Sequence, residues 1–398
     1  MNKPINTDDI VADVLIVGAG LVGLAAAIAL TLQHKNVVLV TDKSLFSNEK
    51  NKFKPHVWDE RVYAVTPATE TWLKALGVWA YIDENRLSMI DAMRLWGANS
   101  DVLLRASDAN LAKLGLIIED QNLMAALWQC VHALGVTVIT DTQCVHMKQS
   151  ATDVTLGLKN HASVVAKLIV AADGSNSWVR RQANIAVKQK KYNQTAVVTN
   201  FLIEKPHHNE AKQWFEQHDT LALLPLPQQQ VSMVWSVSTE KAAQLLALSS
   251  GALCDAVYTQ SQGLLGVLKQ AGNVKSAELS QQTAIQLIAE RIVLVGDSAH
   301  QIHPMAGQGV NLGFRDVMKL TELTTKLHAL HDIGDHAFLR QYERARKADI
   351  VAMNTLTMGL DYLFASEQQL LKSLTHWGIK QIKQQSSIRK LLIQQATN

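Results

Sequence analysis

Cysteine is scarce in this chain of 398 residues. The three present, Cys130, Cys144 and Cys254, are odd in number and far apart. They exclude a disulfide framework and a cysteine-rich zinc site, and they fit a reducing compartment. Neither sign of charge is in excess: 38 Lys and Arg stand against 35 Asp and Glu, a net +3. A protein that coats nucleic acid would be far more basic. A disordered one would hold less than the 47 % apolar residues found here. A membrane-length apolar run is missing too. The nearest approach, Val14 to Leu30, carries no charged or polar side chain, but it falls short of the ~20 residues that span a bilayer. It holds three glycines and follows Asp8, Asp9 and Asp13 rather than a basic segment, so it does not read as a signal peptide. No targeting segment is recognised, and a cytoplasmic location is expected. Repeats and low-complexity tracts are also lacking. What remains is a globular chain, long enough for two or three domains of ~150 residues each.

The opening is the first informative stretch. Asp13 to Val17 reads as a strand, Leu24 to Leu32 as a helix and Val37 to Val40 as a second strand. Between strand and helix stands Gly18-Ala-Gly20-Leu-Val-Gly23. In that position Gly18 makes the turn, Gly20 lets a pyrophosphate approach, and Gly23 packs helix on strand. A ribose-binding acid should close the second strand. Thr41 stands at the expected place and Asp42 one residue later, so Asp42 is the candidate.

The middle of the chain alternates. Phe46 to Pro55 reads as a loop, and Asp59-Glu-Arg61-Val-Tyr-Ala64 leads through Thr66 and Pro67 into a helix ended by Gly77. Arg61 is either a phosphate ligand or a surface ion-pair partner. Met89 to Trp96 and Asp101 to Arg105 read as strands, Gln121 to Leu134 as a helix and Val136 to Thr140 as a strand. Val164 to Ala172 is a buried strand that ends in Asp173-Gly174, with Arg180 and Arg181 in the next helix. From Thr195 the pattern changes. Thr195 to Ile203, Leu221 to Leu226 and Gln230 to Val237 are strands without long helices between them, which indicates an antiparallel sheet. Glu240 to Gln270 reads as mostly helical, as does everything after Asp316.

The most specific stretch is Arg291 to Asp316. Ile292 to Val295 has the apolar run of a buried parallel strand. Gly296 turns the backbone, and Asp297 places a carboxylate just past the strand's C-terminal end, where open α/β sheets bind ligands. Gly307, Gly309 and Gly313 are expected to admit something flat against the backbone. A helix starting near Val310 would direct its positive end at that ligand. His300 and His303 have the spacing of a metal pair but no third ligand, so no metal is assigned; they are expected to pack or hydrogen-bond beside the loop.

Taken together, Gly18–Gly23, Asp173-Gly174 and Gly296-Asp297 resemble the flavin-dependent aromatic hydroxylases of the para-hydroxybenzoate hydroxylase fold. Asp59-x-Arg61-x-x-Ala64, the string Ala172 to Arg180, Gln194 to Val198, Tyr342-Glu-Arg-x-Arg346 and the long string Gly296 to Asp316 are similar to the ubiquinone-biosynthesis branch of that group. The resemblance implies an α/β fold: a Rossmann-like FAD-binding domain with a parallel sheet (1–80, 111–188 and 276–335), an inserted antiparallel-sheet substrate domain (81–110 and 189–275) and a C-terminal helical region (336–398). It implies bound FAD, with Gly18, Gly20 and Gly23 at the pyrophosphate, Asp297 at the ribityl chain, Arg61 at the phosphates, and backbone of Gly309, Val310 and Asn311 at the pyrimidine edge. Asp42 and Asp173 complete the expected cofactor set; His303, Pro304 and Gly307 are the flavin-facing candidates, and no catalytic base is evident. The implied activity is hydroxylation of a polyprenyl phenol or quinol with NAD(P)H as reductant and O2 as oxygen source.

The chain departs from that family at Thr41, where Glu is usual, at Asp120, where Asn is usual, and at Met124, where Gln is usual. The Gly-Pro pair usually found near Asp219-Thr220 is lacking. These departures bear on cofactor affinity and activity, not on the fold. Another FAD oxidoreductase of the same fold and a weakly active accessory subunit of a quinone-biosynthesis assembly stand as alternatives. The substrate pocket is expected between the domains, floored by Pro304 to Gly309 and walled by the strands Leu221 to Leu226 and Val231 to Trp235. The tail from Gln368 to Asn398 has no acidic residue but carries Lys372, Lys380, Lys383, Arg389 and Lys390. Its apolar residues recur at helical spacing, as expected of peripheral attachment to a membrane or to a biosynthetic complex.

Overall fold

The computed structural model describes residues 9–44, 58–97, 100–159, 161–216, 219–301, 309–328, 331–365 and 385–397. It opens with β1 (Ile10–Val17), α1 (Leu21–Thr31) and β2 (Val37–Val40). Val14, Leu15 and Ile16 have no exposed surface. Each such side chain contributes ~1.5–3 kcal/mol by burial. α1 is apolar on every side, as a helix covered by both sheet and neighbouring helices must be. β3 (Val62–Val65) and α2 (Pro67–Ala75) follow. Thr66 caps α2 through its side chain, and Pro67 fills the first helical position, where the missing N–H costs nothing.

Next come β4 (Ser88–Ile90), β5 (Ala92–Gly97) and β6 (Ser100–Arg105), then β7 (Gly115–Glu119), α3 (Asp120–Ala133) and β8 (Thr137–Ile139). A β-meander of β9 (Cys144–Gln149), β10 (Val154–Leu158) and β11 (His161–Ala171) leads to the short α4 (Trp178–Gln182). β12 (Val187–Ile203), β13 (Glu210–Glu216), β14 (Asp219–Leu226) and β15 (Gln230–Ser238) form the second half of the molecule, with α5 (Thr239–Leu246) and α6 (Ser250–Gln260). β16 (Leu268–Gln270), β17 (Lys275–Ala284), β18 (Ile288–Ala289), β19 (Ile292–Leu294) and β20 (His300–Gln301) precede α7 (Gly309–Thr325), α8 (His336–Ala365) and α9 (Ser386–Thr397).

Two large sheets result. The first runs β18-β19-β11-β1-β2-β8. From β19 to β8 its neighbours are parallel, with Val17 level with Ala171 and Ala171 level with Leu294. The second runs β20-β17-β12-β15-β14-β13-β5-β6. It is antiparallel except where β13 meets β5. β5 and β6 thus bring part of 81–110 into the inserted sheet. β17 carries that sheet past the boundary at 275 drawn from the sequence. The string Arg291 to Asp316 contributes β19 to the first sheet and β20 to the second, so it stitches the two together. A smaller sheet has the order β3-β7-β4.

One expectation is narrowed to a face and another changes. Leu221, Leu223, Val231, Met233 and Trp235 are buried with Val197, Leu245 and Leu253 beneath α5 and α6, which leaves the other face of these strands for a cleft. Side chains alternate along a strand, so the opposite face carries Ala222, Leu224, Ser232, Val234 and Ser236. That face meets the first domain, since Asn200 Nδ2 on the adjacent β12 donates to the carbonyls of Trp58 and Asp59 at 3.1 Å. Leu226 likewise packs with Trp58, Ile90 and Ile117. The region Glu240 to Gln270 ends in a strand rather than a helix, because Leu268–Gln270 pairs with Phe201–Ile203. The loop Phe46 to Pro55 lies outside the described residues. In the tail, α9 rests on the protein: Ile393 is buried, and Arg389 Nε lies 3.4 Å from Asp108.

Candidate functional site

Three glycine-containing turns leave the C-terminal ends of three adjacent parallel strands. Gly18 follows β1, Asp173-Gly174 follows β11, and Gly296-Asp297 follows β19. The sequence already places the three glycine turns at strand ends along one edge of a sheet, and the sheet order makes their strands, β19, β11 and β1, immediate neighbours. Gly18 has φ +106°, and a side chain there would strike the Ala172 carbonyl. A Cβ at Gly23 would overlap the Gly18 carbonyl oxygen, so helix and strand meet backbone to backbone. Gly20 differs, because a Cβ there would meet nothing within 4 Å. Its backbone faces open space at the start of α1, where no side chain caps the first N–H groups.

The two other turns are locked together. Arg180 is buried and donates through Nη1 to Ser298 O at 2.8 Å and through Nη2 to Ser175 O at 2.7 Å. Ser298 Oγ reaches Ala171 O at 2.6 Å, across to the neighbouring strand. Asp173 Oδ2 accepts from Val179 N at 3.0 Å. Its Oδ1 is shielded from solvent and has no hydrogen-bond partner among the described residues. A buried carboxylate oxygen in that state is normally satisfied by a ligand or a water.

Behind the Gly296 turn sits a buried charge cluster. Asp316 has no exposed surface; it accepts from Gly296 N at 2.8 Å, from Arg346 Nε at 2.7 Å and pairs with His300 Nε2 at 2.6 Å. Burial alone would raise its pKa, but His300, Arg346 and the Gly296 N–H more than offset that and hold the carboxyl below its usual range. Tyr342 adds a hydrogen bond to Leu294 O at 2.8 Å. The turn that presents Asp297 is therefore fixed from beneath by α7 and α8. His300 is a partner of Asp316 in this cluster, and no group of His, Cys, Asp and Glu among the described residues could hold a metal.

Asp297 and Arg61 lie close enough to act on each other electrostatically. Asp297 is open to solvent yet enclosed by protein, and that enclosure raises its pKa against the pull of His300 and Arg61. Arg61 is similar: its side chain is 69 % exposed, while burial, Tyr63, Asp120 and Asp297 act on it with a net upward shift. Accessible groups surrounded by protein line a concavity, not a convex surface. Gly296 and Gly313 both abut Val22 in the first turn of α1, so this crevice adjoins the Gly20 opening. A Cβ at Gly313 would lie 2.6 Å from Val22 Cγ2, so Gly313 serves helix packing rather than a flat ligand.

The other expected residues fall as follows. Gly309 and Val310 begin α7. Asn311 is buried, and its side chain clamps α7 to the β3–α2 joint by accepting from Thr66 N at 3.1 Å and donating to Ala64 O at 2.7 Å. Asp42 is exposed, just beyond β2, whereas Thr41 turns inward and its Oγ1 accepts from Lys43 N at 3.2 Å. Burial, then Asp173 and Asp42, push the nearby Cys144 thiol up to about 12, so it stays protonated at neutral pH. Met124 packs against the core. His303, Pro304 and Gly307 lie outside the described residues. Sequence reasoning missed Arg180, Asp316 and Arg346 as the supports of the turns. Their partners are strand-end carbonyls and an N–H that no spacing rule names.

The open backbone at Gly20, the unpartnered Asp173 oxygen and the Arg61–Asp297 crevice fit a dinucleotide laid along one sheet edge. Comparison with known proteins shows the family. The model of the FAD binding domain family matches residues 11–357. The mitochondrial ubiquinone biosynthesis monooxygenase COQ6 of Danio rerio is 30 % identical over 92 % of this chain and 86 % of its own length. The 3-demethoxyubiquinol 3-hydroxylase of Escherichia coli is 30 % identical over 89 % of each. Among solved structures, p-nitrophenol 4-monooxygenase PnpA from Pseudomonas putida superposes with a TM-score of 0.77, at 16 % identity over 98 % of this chain and 99 % of that one. That likeness speaks for the fold.

Proposed function

Because the chain belongs to the FAD binding domain family, with the ubiquinone-biosynthesis monooxygenases among its relatives, we propose that the crevice described above holds FAD for hydroxylation of a polyprenylated phenol or quinol. The protein is a flavoprotein monooxygenase that takes electrons from NAD(P)H and one oxygen atom from O2. Bound FAD supplies that redox and oxygen chemistry.

The chain's own residues bind, orient and enclose. Gly20 and the uncapped start of α1 receive the diphosphate, with Arg61 as the countercharge. Asp297 accepts from ribityl hydroxyls, and Asp173 Oδ1 gains the donor it lacks. Gly309 to Asn311 open α7, whose N–H groups and positive end stabilise negative charge at the pyrimidine edge of reduced flavin. The face carrying Ala222, Val234, Ser236 and Val198 walls the substrate cleft, small and only partly apolar, which leaves room for a substituted ring. The observation that carries this reading is the adjacency of three glycine turns on neighbouring parallel strands. The test is direct: purified protein should be yellow and should consume NAD(P)H and O2 with a prenylated phenol to give a product one oxygen heavier. A colourless protein that also fails to take up added FAD would sink the reading.

We further infer peripheral membrane attachment through the tail. No helix among the described residues is long and apolar enough to cross a membrane. α9 keeps Ile393 against the protein but leaves Leu391 59 % exposed beside Lys390. An outward basic and apolar edge of this kind suits the cytoplasmic face of an anionic inner membrane, where a prenylated substrate resides. Liposome flotation of the full chain against a truncation after Glu367 tests it. Equal flotation of both forms would count against the tail.

A further inference from the structure

The surroundings of Arg61 are more acidic than a diphosphate site requires. Tyr63 Oη donates to Asp120 Oδ1 at 2.7 Å. Arg61 Nε lies 3.8 Å from the same oxygen, and the Arg61 guanidinium carbon is 5.5 Å from the centre of the Tyr63 ring. The backbone ties these residues together, since Asp120 N donates to Arg61 O at 2.9 Å. Asp59 accepts from Arg61 N at 3.0 Å, and burial raises its pKa. Asp297 closes the set from the opposite strand end. The other nearby cation, Lys275, is engaged by Glu60 at 2.7 Å. Among the described residues, Asp59, Asp120 and Asp297 therefore surround Arg61, the cation here that no carboxylate holds by a hydrogen bond.

Asp120 does not clamp Arg61. At 3.8 Å the pair is too long for a hydrogen bond, and 69 % of the arginine side chain remains exposed. Its hydrogen bond is to Tyr63, which fixes the carboxylate beside the crevice. The charge itself is what Arg61 and any entering anion feel. We propose that Asp120, held in place by the Tyr63 hydroxyl, is a countercharge that weakens this chain's grip on the FAD diphosphate and sets a low cofactor affinity. The proposal rests on FAD occupying the crevice. The competing account makes Asp120 only a favourable charge at the N-terminus of α3. That account expects no change in cofactor affinity when the charge is removed.

Asp120→Asn separates the two, because an amide oxygen still accepts from Tyr63 while the charge is gone. Asp120→Ser is the second variant, neutral and suited to a helix start. Full-length protein stripped of flavin is titrated with FAD, and the dissociation constant is read from flavin fluorescence across a NaCl series. Removal of one unit charge from a partly exposed site should lower the FAD dissociation constant about three- to tenfold in both variants. The constant should also rise more steeply with NaCl than in the wild type, because attraction by Arg61 is no longer offset. An unchanged or larger dissociation constant in Asp120→Asn overturns the proposal while leaving the FAD site intact. Absence of saturable binding in every form, the wild type included, overturns both.

Discussion

Removing Arg346 should expose how much the molecule depends on the buried cluster beneath the Gly296 turn. Arg346→Met keeps the aliphatic bulk and deletes the cation. Asp316, with no exposed surface, would retain Gly296 N at 2.8 Å and His300 at 2.6 Å but lose its 2.7 Å bond to Arg346. Breaking a buried pair costs ~3–5 kcal/mol, because one charge is left uncompensated. Here the lower end applies, about 3 kcal/mol, since Asp316 keeps both the Gly296 N–H and His300 as hydrogen-bond partners. Asp349 also loses Arg346, but it keeps Arg315 Nη1 at 3.2 Å. For a chain of 398 residues, an unfolding entropy of ~2.1 cal/mol/K per residue converts that loss to a fall in Tm of roughly 3–4 °C.

The same variant carries a pH signature. The folded-state pKa of Asp316 lies below its usual value, so its contribution is present above about pH 4 and is lost as pH falls through the lower folded value. Without Arg346 the carboxyl stays buried and the pull against that burial weakens. The acid limb of stability should therefore move to higher pH. Scanning calorimetry of the flavin-free protein between pH 3 and 8 measures both effects. A Tm within about 1 °C of wild type, with an unshifted acid limb, would refute the claim that this pair fixes the turn.

Gly20→Ala and Gly23→Ala should fail differently. The first fills open space, so Tm should hold while FAD retention falls; the second overlaps the Gly18 carbonyl and should cost several °C or soluble expression, as seen by thermal shift and flavin absorbance. Asn311→Ala removes both ties between α7 and the β3–α2 joint. With Thr66 N left unpaired, a loss of ~2 kcal/mol or more is expected, together with weaker FAD binding; hydrogen exchange across Thr66 to Thr69 should rise. A variant with normal protection there would contradict the clamp.

Much of this was readable in the residues because local rules act at short range. Strand, glycine turn and helix at Val14 to Leu30 follow from apolar burial and backbone sterics, and so does the turn at Gly296. The face of the inserted sheet was not readable. β14 and β15 alternate Leu221, Leu223 and Val231, Met233, Trp235 with smaller residues, and only the positions of α5 and α6 decide which set is covered. β17 reads Lys275-Ser-Ala-Glu-Leu-Ser-Gln-Gln-Thr-Ala284, too polar to announce itself; it becomes a strand because β12 pairs with it. Arg180, Asp316 and Arg346 escaped for a related reason. Arg180 depends on a carbonyl 118 residues away that the sheet order brings close, and Asp316 and Arg346 depend on the packing of α7 and α8 beneath the Gly296 turn.

The central claim is that the crevice between the Gly18, Asp173 and Asp297 turns is a cofactor site rather than a structural joint. Asp297→Asn tests it most directly. Enclosure raises the Asp297 pKa, so ionising this carboxyl works against folding. The measurement is the flavin-to-protein ratio of the purified variant, with the Tm of its flavin-free form alongside. The account predicts a protein that loses most of its FAD while its flavin-free Tm stays equal to wild type or rises. Full FAD content, or a Tm that falls while FAD is retained, would contradict it.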